Sequence, residues 1–541
     1  NFASHPWRAA IANECPQCIS PTGAFTVLGS APLASIYAMR VLNSQGSGAQ
    51  SWILAGMERV IDLRVAYDAG QVPTRDPDGS YNALPIRVAN MSLGGSTLFP
   101  GRDIEDEMTN AFLAHDIVLV VATGNQGPGG ATVGSPGSGV GSLTVGASSS
   151  AVHERILRNI QFGVGVGALY RPFDGTMMAE FSSRGPTADG RVDPDIVANG
   201  LASFGAGTGG PGSISIGSGT SFAAPTVAGI AAVLSEAVPN ATARQVYNAL
   251  IASADPNVLA DGSGPLDRGA GYVNALGAYQ LLQNWTSVPD TAPDYGVENK
   301  NVNVNILQGA SVKTWSGDVT RTVSGLMPGG RFETFYKTTP NTNAIVVNVS
   351  GFTPGATQNP LFGDDLTLVV HSAKTSAIGA EGDYKVYTFT TGGTFTIDNP
   401  DLGIMRIAVL GSSTNASPVS ATVNIRSVTD SNPGQTSHGK IADGETFAVP
   451  FKVPVGAKRL DVRLEWDGDW SNYPTNDLDV ILQRPGGTLV LSGATLNAPE
   501  LVTVTDPAPG DWIAYVDGFT VSTTGGDKYT LRIVVDGVVV K

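Results

Sequence analysis

The chain has 541 residues, enough for two to four domains at roughly 150 residues each. Its 47 acidic residues outnumber 32 basic ones, and the formal charge of −15 argues against nucleic acid or an anionic membrane as a partner, since both require a basic face. No apolar run approaches the ~18 residues of a membrane span, so none is expected. With 42% hydrophobic residues, 67 glycines and 34 prolines, the composition predicts a loop-rich globular chain.

The first 285 residues alternate strand-like and helix-like segments. Short apolar runs predict strands, and apolar residues at every third or fourth position predict helices. The predicted strands are Ile36–Val41, Val88–Leu93, Ile117–Ala122 and Ser142–Ala147, and the predicted helices are Gln50–Asp62, Ile104–His115, Thr220–Val238, Ala243–Ala252 and Ala275–Gln283. The uninterrupted apolar run at Ile117–Ala122 is typical of a strand buried on both faces. We therefore predict an α/β fold with a doubly wound parallel sheet, covered by helices on both faces.

Beyond a linker at Val288–Asp294, helical patterns vanish and short β-rich runs predict antiparallel β-sandwiches. Three pairs of segments in this region resemble each other, at offsets of 112, 112 and 106 residues: Glu333–Phe335 with Glu445–Phe447, Asp365–Leu366 with Asp477–Leu478, and Arg406–Val409 with Trp512–Tyr515. We interpret them as two tandem sandwiches joined near Asp430–Gly434, the alternative being chance similarity between Thr/Val-rich strands. The predicted domains are residues 1–285, 286–430 and 431–541.

The strongest chemical signal is Gly219–Gly229, which reads GTSFAAPTVAG. Gly219 permits a tight turn, so Ser221 falls in the first turn of a long apolar helix. Unpaired backbone N–H groups and the positive end of the helix dipole favour a developing anion there, which makes Ser221 a suitable nucleophile for acyl transfer. The alternative is an ordinary helix start, because Ser and Thr begin many helices.

Two further segments lie where predicted strands end. Asn125 follows Ile117–Ala122, at the edge where open α/β sheets bind ligands. Its side-chain amide can donate to an oxyanion there, or Asn125 is an ordinary turn residue in a Gly-rich loop. Gly94 and Gly95 end another strand, where an extended ligand backbone can approach closely, or where the glycines simply form a turn.

Together these segments resemble the subtilisin-like serine peptidases, the subtilases. The family's Gly-Thr-Ser-x-Ala-x-Pro motif is matched in full by residues 219–225, its Gly-Asn segment by Gly124-Asn125, and its Ser-Leu-Gly strand by Ser92–Gly94. The similarity spans roughly residues 25–285 and includes Val27–Pro32, Tyr37–Leu42, Phe181–Pro186 and Asp193–Ala198, although Asn199 replaces the usual proline.

The resemblance implies a secreted serine endopeptidase acting on protein or peptide substrates. Ser221 would attack the scissile carbonyl, while Asn125 and the Ser221 backbone N–H would hold the tetrahedral oxyanion. The strands that end at Gly95 and Asn125 would flank the pocket for the substrate residue before the scissile bond. The substrate-binding residues implied by the resemblance are therefore Ser92, Leu93, Gly94, Gly95, Thr123 and Gly124. We expect a monomer with no required cofactor.

The family's catalytic aspartate and histidine lie upstream of these segments, and there the resemblance fails. No Asp-bearing strand precedes Val27. The distance from His5 to Val27 suits the family's catalytic histidine, so His5 is the candidate base. The residues around His5 do not match the family's histidine motif, however, and alignment on Ala9–Ala12 places Ser4 at the catalytic position instead. His5 is otherwise a surface residue near the terminus. The remaining histidines match no family position: His115, His153, His371 and His438.

Because the whole Asp-bearing strand is missing, and the chain begins with Asn1 rather than Met, we interpret it as an N-terminally truncated subtilase with an incomplete sheet edge. We expect this chain to be weakly active or inactive. Two alternatives stay open. One is a pseudopeptidase that lost Asp and His and binds peptides or surfaces, and the other is a carbohydrate- or protein-binding β-module protein with a vestigial peptidase scaffold.

Two remaining clusters have several interpretations. Cys15 and Cys18 could be a redox or zinc pair, but one pair cannot fill a tetrahedral site, so a local disulfide or two free thiols are expected. Asp467, Asp469 and the segment Asn476–Asp479 gather oxygen atoms that suit structural calcium, with solvated turns as the alternative. Two nearby segments resemble, more weakly, the jelly-roll modules of secreted bacterial peptidases: Asp477–Pro485 and Pro509–Trp512.

Overall fold

The computed structural model describes most of the chain. The described residues are 5–95, 101–130, 132–187, 191–210, 213–291, 314–338, 342–371, 384–398, 400, 404–429, 437–466, 476–495 and 499–541. Ser4, the end of the predicted linker (292–294), the predicted joint Asp430–Gly434, and Asp467 and Asp469 lie outside these residues.

A parallel sheet forms the centre of the first half. Its strands are β1 (Val88–Met91), β2 (Val118–Ala122), β3 (Ser142–Ser149), β4 (Met177–Met178) and β5 (Ile196–Asn199). β1 pairs with β2, β2 with β3 and β3 with β5, all parallel, whereas β4 pairs antiparallel with the end of β3. Among the described strands β1 has only β2 as a neighbour, so it is an edge strand. A separate hairpin contains β6 (Ser203–Ala206) and β7 (Ile214–Gly217).

Helices cover both faces of this sheet. They are α1 (Arg8–Glu14), α2 (Gln50–Asp68), α3 (Ile104–Ala114), α4 (Ala151–Phe162), α5 (Gly167–Tyr170), α6 (Thr220–Ala237), α7 (Ala243–Ser253), α8 (Pro265–Arg268) and α9 (Ala275–Leu282), with short 3-10 turns at Pro16–Cys18, Pro256–Val258 and Trp285–Ser287. In β2, Val118 and Val120 pack in the cluster formed with α6, α7 and α9. Leu119 and Val121 pack with α2 and α3 on the opposite face. The doubly wound α/β prediction is confirmed, and so is the burial of this strand on both faces.

Helix α6 is the central helix of the first half. Its length and hydropathy would also suit a membrane span. Ala223, Ala224, Val227 and Ala231 are completely buried in the cluster that α6 shares with the sheet. The small side chains on this face of α6 let the helix axis lie close to the strands.

The structure corrects the predicted strand at Ile36–Val41. This segment is in no strand, and Ile36 is 92% exposed. A strand requires a neighbour for its backbone N–H and C=O groups, and an apolar pattern by itself does not supply one. The sequence prediction also missed α4, an amphipathic helix whose buried Glu154 is bound by Ser149 and Arg171. Cys15 and Cys18 form a disulfide, one of the two expected alternatives.

The second half contains two antiparallel sandwiches. The strands of the first are β8 (Thr314–Trp315), β9 (Val319–Leu326), β10 (Arg331–Lys337), β11 (Thr342–Thr353), β12 (Leu366–His371), β13 (Tyr384–Phe389), β14 (Gly393–Asp398), β15 (Ile404–Gly411) and β16 (Val419–Thr429). Those of the second are β17 (Ser437–Ile441), β18 (Thr446–Val453), β19 (Arg459–Trp466), β20 (Asp477–Gln483), β21 (Leu489–Gly493), β22 (Glu500–Thr505), β23 (Gly510–Thr520), β24 (Asp527–Val535) and β25 (Val538–Val539). Each encloses its own apolar core.

The two sandwiches have the same strand order. One sheet runs β13-β12-β15-β10 in the first and β21-β20-β23-β18 in the second, and the other sheet runs β14-β11-β16-β9 and β22-β19-β24-β17. The three resembling segment pairs lie on equivalent strands: at β10 and β18, at β12 and β20, and at β15 and β23. This agreement supports the repeat interpretation over chance. The exact domain boundaries stay a prediction, because Val192 and Leu266 of the first half pack into the core of the first sandwich.

Candidate active site

Ser221 lies in the first turn of α6, as predicted. Gly219 precedes the helix with a φ of 151°, a backbone conformation that favours glycine. The N–H of Thr220 donates to Asn125 Oδ1 and that of Phe222 to the carbonyl of Gly219. Among the described residues nothing accepts from the N–H of Ser221, so this donor is available at the positive end of the helix.

Ser221 and Ser92 hold each other through reciprocal hydrogen bonds. Ser221 Oγ donates to the Ser92 carbonyl at 3.2 Å, and Ser92 Oγ donates to the Ser221 carbonyl at 2.9 Å. Asn90, in β1, donates to Ser92 Oγ at 3.1 Å. These bonds fix the end of β1 against the start of α6, so the nucleophile candidate faces the predicted substrate-binding segment.

Asn125 is held next to Ser221 by Thr220. Its Oδ1 accepts from Thr220 N at 2.9 Å and from Thr220 Oγ1 at 3.1 Å, and the N–H of Gly124 donates to Thr220 Oγ1 at 3.3 Å. The amide Nδ2 lies beside Gly219, 3.6 Å from where a Cβ of that glycine would stand, so this donor is at the start of α6. The structure therefore brings two donors, the Ser221 N–H and Asn125 Nδ2, to one helix end.

The segment Phe181–Ser183 supports this loop from behind. Gln126 N donates to Ser183 Oγ at 3.2 Å, Gly127 N donates to the Phe181 carbonyl at 2.8 Å, and Ser183 N donates to the Gly124 carbonyl at 3.0 Å. The sequence singled out this segment by resemblance but gave it no role, since hydrogen bonds between residues about 60 positions apart leave no local pattern.

The predicted substrate-binding residues differ in accessibility. Ser92 and Leu93 are half-buried, while Gly94 and Gly95 are exposed. The backbone of Gly95 exchanges two hydrogen bonds with Ser135, so Ser92–Gly94 is the part of this segment beside Ser221. Thr123 is completely buried, its N–H donates to the Val145 carbonyl, and its Oγ1 has no hydrogen-bond partner among the described residues. Its part in substrate binding stays a prediction.

His5 is not hydrogen-bonded to Ser221 in the structure. Its ring lies 4.8 Å from Trp7 and 5.8 Å from Phe25 in edge-to-face contacts, and its Nδ1 accepts from the N–H of Trp7. Trp7 in turn contacts Phe204 of β6. The role of His5 as base stays a prediction.

A model of the subtilase family matches residues 9–277, which hold Ser92, Asn125 and Ser221. Residues 9–277 belong to the subtilase family.

Pyrolysin from Pyrococcus furiosus is 26% identical over 645 residues, covering 93% of this chain and 44% of its own length, so the similarity continues into the sandwiches. Serine protease AprX from Bacillus subtilis is 33% identical over 270 residues, covering 46% of this chain and 52% of its own. A solved structure titled "S41 Psychrophilic Protease" covers 47% of this chain and 72% of its own, with 24% identity and a TM-score of 0.34. The chain spans about half the length of the curated relatives it matches.

Asn199, which replaces the proline usual in subtilases, contacts a half-buried histidine. Its Nδ2 lies 2.9 Å from His153 Nδ1 and donates to the Leu201 carbonyl at 3.0 Å, while its Oδ1 accepts from Ser150 N. Burial lowers the pKa of His153. Asn199 thus joins the end of β5 to Ser150 and His153 at the start of α4, through side-chain hydrogen bonds that a proline could not make.

Within the described part of the chain, no group of three or more His, Cys, Asp or Glu side chains is placed to hold a metal ion. At the predicted calcium cluster, Asn476 Nδ2 donates to Asp527 and Thr523, both at 2.7 Å. Burial, followed by the charge of Asp517, raises the pKa of Asp479 to about 6. Calcium binding in this sandwich stays a prediction.

Proposed function

We propose that this subtilase is a serine endopeptidase acting on protein or peptide substrates, with low turnover in the 541-residue chain because no Asp-bearing strand precedes Val27. The observation that supports it is the convergence of Ser221, its unpaired N–H and the Asn125 amide at the start of α6. Ser221 Oγ attacks the carbonyl carbon, and the oxyanion accepts hydrogen bonds from Ser221 N and Asn125 Nδ2. The dipole of α6 adds to the stabilisation of this anion.

The proton of Ser221 must pass to a base, and His5 is our candidate. The aromatic cluster around His5 includes Phe204, which pairs with Ile216 in the β6–β7 hairpin. Since Ile216 precedes Ser221 by five residues, the cluster lies beside the segment that leads into α6. A substrate with extended backbone lies along Ser92–Gly94, with the scissile bond over Ser221.

One observation favours a second candidate function, a pseudopeptidase that binds peptides without cleaving them. Ser221 Oγ donates to the carbonyl of Ser92, which is no base, and among the described residues no histidine ring accepts from it. A cleft of this kind retains the backbone-binding edge and the oxyanion donors, and so retains affinity for extended peptides.

We propose an extracellular location and a monomeric state. The Cys15–Cys18 disulfide supports the former, because disulfides persist in oxidising compartments. The low share of charged residues, 15%, agrees with it.

Hydrolysis of a fluorogenic peptide library by the wild type, Ser221→Ala and Ser235→Ala tests the proposal. Ser235 is in the same helix and donates to the Ala231 carbonyl, away from the site, so Ser235→Ala is expected to retain activity. Turnover that disappears only in Ser221→Ala supports the peptidase. Peptide binding without turnover, measured by fluorescence anisotropy, supports the pseudopeptidase instead.

A further inference from the structure

Five charged residues form a buried network where the first sandwich meets the α/β half. Arg184 and Asp267 come from the α/β half, and Arg331, Glu333 and Arg406 come from β10 and β15. Asp267 Oδ1 lies 3.4 Å from Arg184 and 3.5 Å from Arg331, and Glu333 Oε1 contacts both Arg331 and Arg406. Charges this deeply buried require partners, so the network fixes the relative position of the elements that carry them.

Burial is nearly complete within this network. The side chains of Arg184, Arg331 and Arg406 are 2%, 3% and 2% exposed. Burial alone would raise the pKa of Asp267, but the surrounding guanidinium groups, Arg331 foremost, hold it below its usual range. Asp267 is therefore ionised, and it holds Arg184 of its own half and Arg331 of the sandwich at once.

The two sandwich arginines also donate to backbone carbonyls of the α/β half. Arg331 donates to the carbonyl of Pro128, and Arg406 donates to the carbonyl of Gly185. The Arg406 guanidinium lies so close to Gly130 that a Cβ at this glycine would overlap it. Pro128 follows Asn125 by three residues, a span of at most about 11 Å. The contacts of Arg331 with Pro128 and of Arg406 with Gly130 are therefore made in the loop that carries the proposed oxyanion donor.

The opposite side of this loop is held by the α/β half itself. Gly127 N donates to the Phe181 carbonyl at 2.8 Å, and Thr132 N donates to the Arg184 carbonyl at 2.8 Å. Arg184 thus supports the loop with its backbone while its side chain joins the charged network. Residues 124–130 are therefore enclosed between Phe181–Gly185 on one side and the arginines of the sandwich on the other.

We propose that the first sandwich is a clamp on the oxyanion loop, with Arg331 and Arg406 as positioning residues for Asn125. They touch neither Ser221 nor Asn125, and act through Pro128, Gly130 and Gly185. The consequence for turnover rests on the proposed peptidase function. The ordering of residues 124–130 by the sandwich is independent of the peptidase function.

A second set of contacts across the same junction provides a matched control. The ring of Phe362 in the sandwich lies 4.9 Å from that of Tyr170 at the end of α5, and Asn359 Nδ2 donates to the Leu169 carbonyl at 2.7 Å. These contacts join the two halves without touching residues 124–130. Phe362→Ala therefore weakens the junction and leaves the clamp intact.

The test compares the full chain, Arg331→Met/Glu333→Gln, Arg331→Lys and Phe362→Ala by hydrogen–deuterium exchange and steady-state kinetics. The double variant removes one charge of each sign, so the net charge of the network is unchanged; Arg406 loses its contact with Glu333 and keeps the attraction of Asp267. We expect amides of Gln126 and Gly127 to exchange at least about 10-fold faster in the double variant, and kcat to fall about 10-fold or more with KM within about twofold. Arg331→Lys restores part of both losses, and Phe362→Ala changes neither.

The possible results separate the clamp from the proposed function. Unchanged exchange in the double variant, or equal acceleration in Phe362→Ala, overturns the clamp. Faster exchange with unchanged kcat overturns the positioning role. If the wild type has no Ser221-dependent turnover, the peptidase proposal fails, and the exchange comparison alone decides whether the sandwich orders the loop.

Discussion

The amide of Asn125 allows the oxyanion role to be separated from a structural one. Its Oδ1 accepts two hydrogen bonds from Thr220, at 2.9 and 3.1 Å, while Nδ2 is the group proposed to bind the oxyanion. Asn125→Asp keeps an acceptor for Thr220 but replaces the donor by a charged oxygen. Asn125→Ala removes both functions. The two variants therefore differ in stability and agree in the loss of the donor.

Removal of one such donor lowers kcat about 10²–10³-fold, a factor known from this same family. It corresponds to a loss of about 3–4 kcal/mol of transition-state stabilisation. We expect Asn125→Asp to lose at least this much, because its charge repels the oxyanion, with little change in stability. Asn125→Ala should lose a similar factor in kcat. It should also lose about 1–3 kcal/mol of unfolding free energy, since each bond to Thr220 contributes about 0.5–1.5 kcal/mol.

The assay is hydrolysis of a peptide p-nitroanilide with kcat and KM determined separately, together with urea unfolding of each variant. KM should stay within about threefold, because the donor acts mainly in the transition state. An Asn125→Asp variant that keeps wild-type kcat would refute the oxyanion assignment, and so would a loss confined to KM.

Three further predictions concern stability. Trp512 is completely buried and donates to the Ala508 carbonyl at 2.8 Å, so Trp512→Ala should cost about 3–5 kcal/mol in urea unfolding, against little for Trp52→Ala, whose side chain is 53% exposed. Burial raises the pKa of Asp106 to about 6, so its contribution to stability is present below about pH 4 and is lost, by about 3 kcal/mol, as pH rises through 6. Asp106→Asn should flatten this fall in unfolding free energies measured from pH 4.5 to 7, and an unchanged slope would contradict the cause given. Gly124 has a φ of 109°, so Gly124→Ala should lower the Tm and cost about 1–3 kcal/mol, whereas Gly205→Ala, which meets open space, should not.

The candidate site was predictable where its chemistry lies in local motifs. Ser221 and Asn125 were found because a helix start and a strand end each have a recognisable sequence pattern. Thr220, which holds Asn125, stands beside Ser221 in the motif, but its partner is 95 residues away. The roles of Ser183 and Arg331 could not be predicted, because they exist only once distant segments meet.

The sequence by itself determined the layered α/β half, the central helix and the two sandwiches. Periodicity of apolar residues and the turn residues between them are local properties, and burial of those apolar faces follows directly. The matching segments of the β-region were also readable, because residues of the same type recur at equivalent strand positions, although burial differs between them: Phe335 is 3% exposed and Phe447 is 41% exposed.

Only the tertiary structure decided which elements become neighbours. It left Ile36–Val41 without a strand partner and placed His5 among aromatic rings. It also directed Arg331 onto Pro128, in the loop after Asn125, and Arg406 onto Gly185. The physical reason is that a strand edge, an aromatic contact or a buried charge is stabilised by its partner. That partner lies up to 221 residues away in the chain, beyond the range of any local pattern.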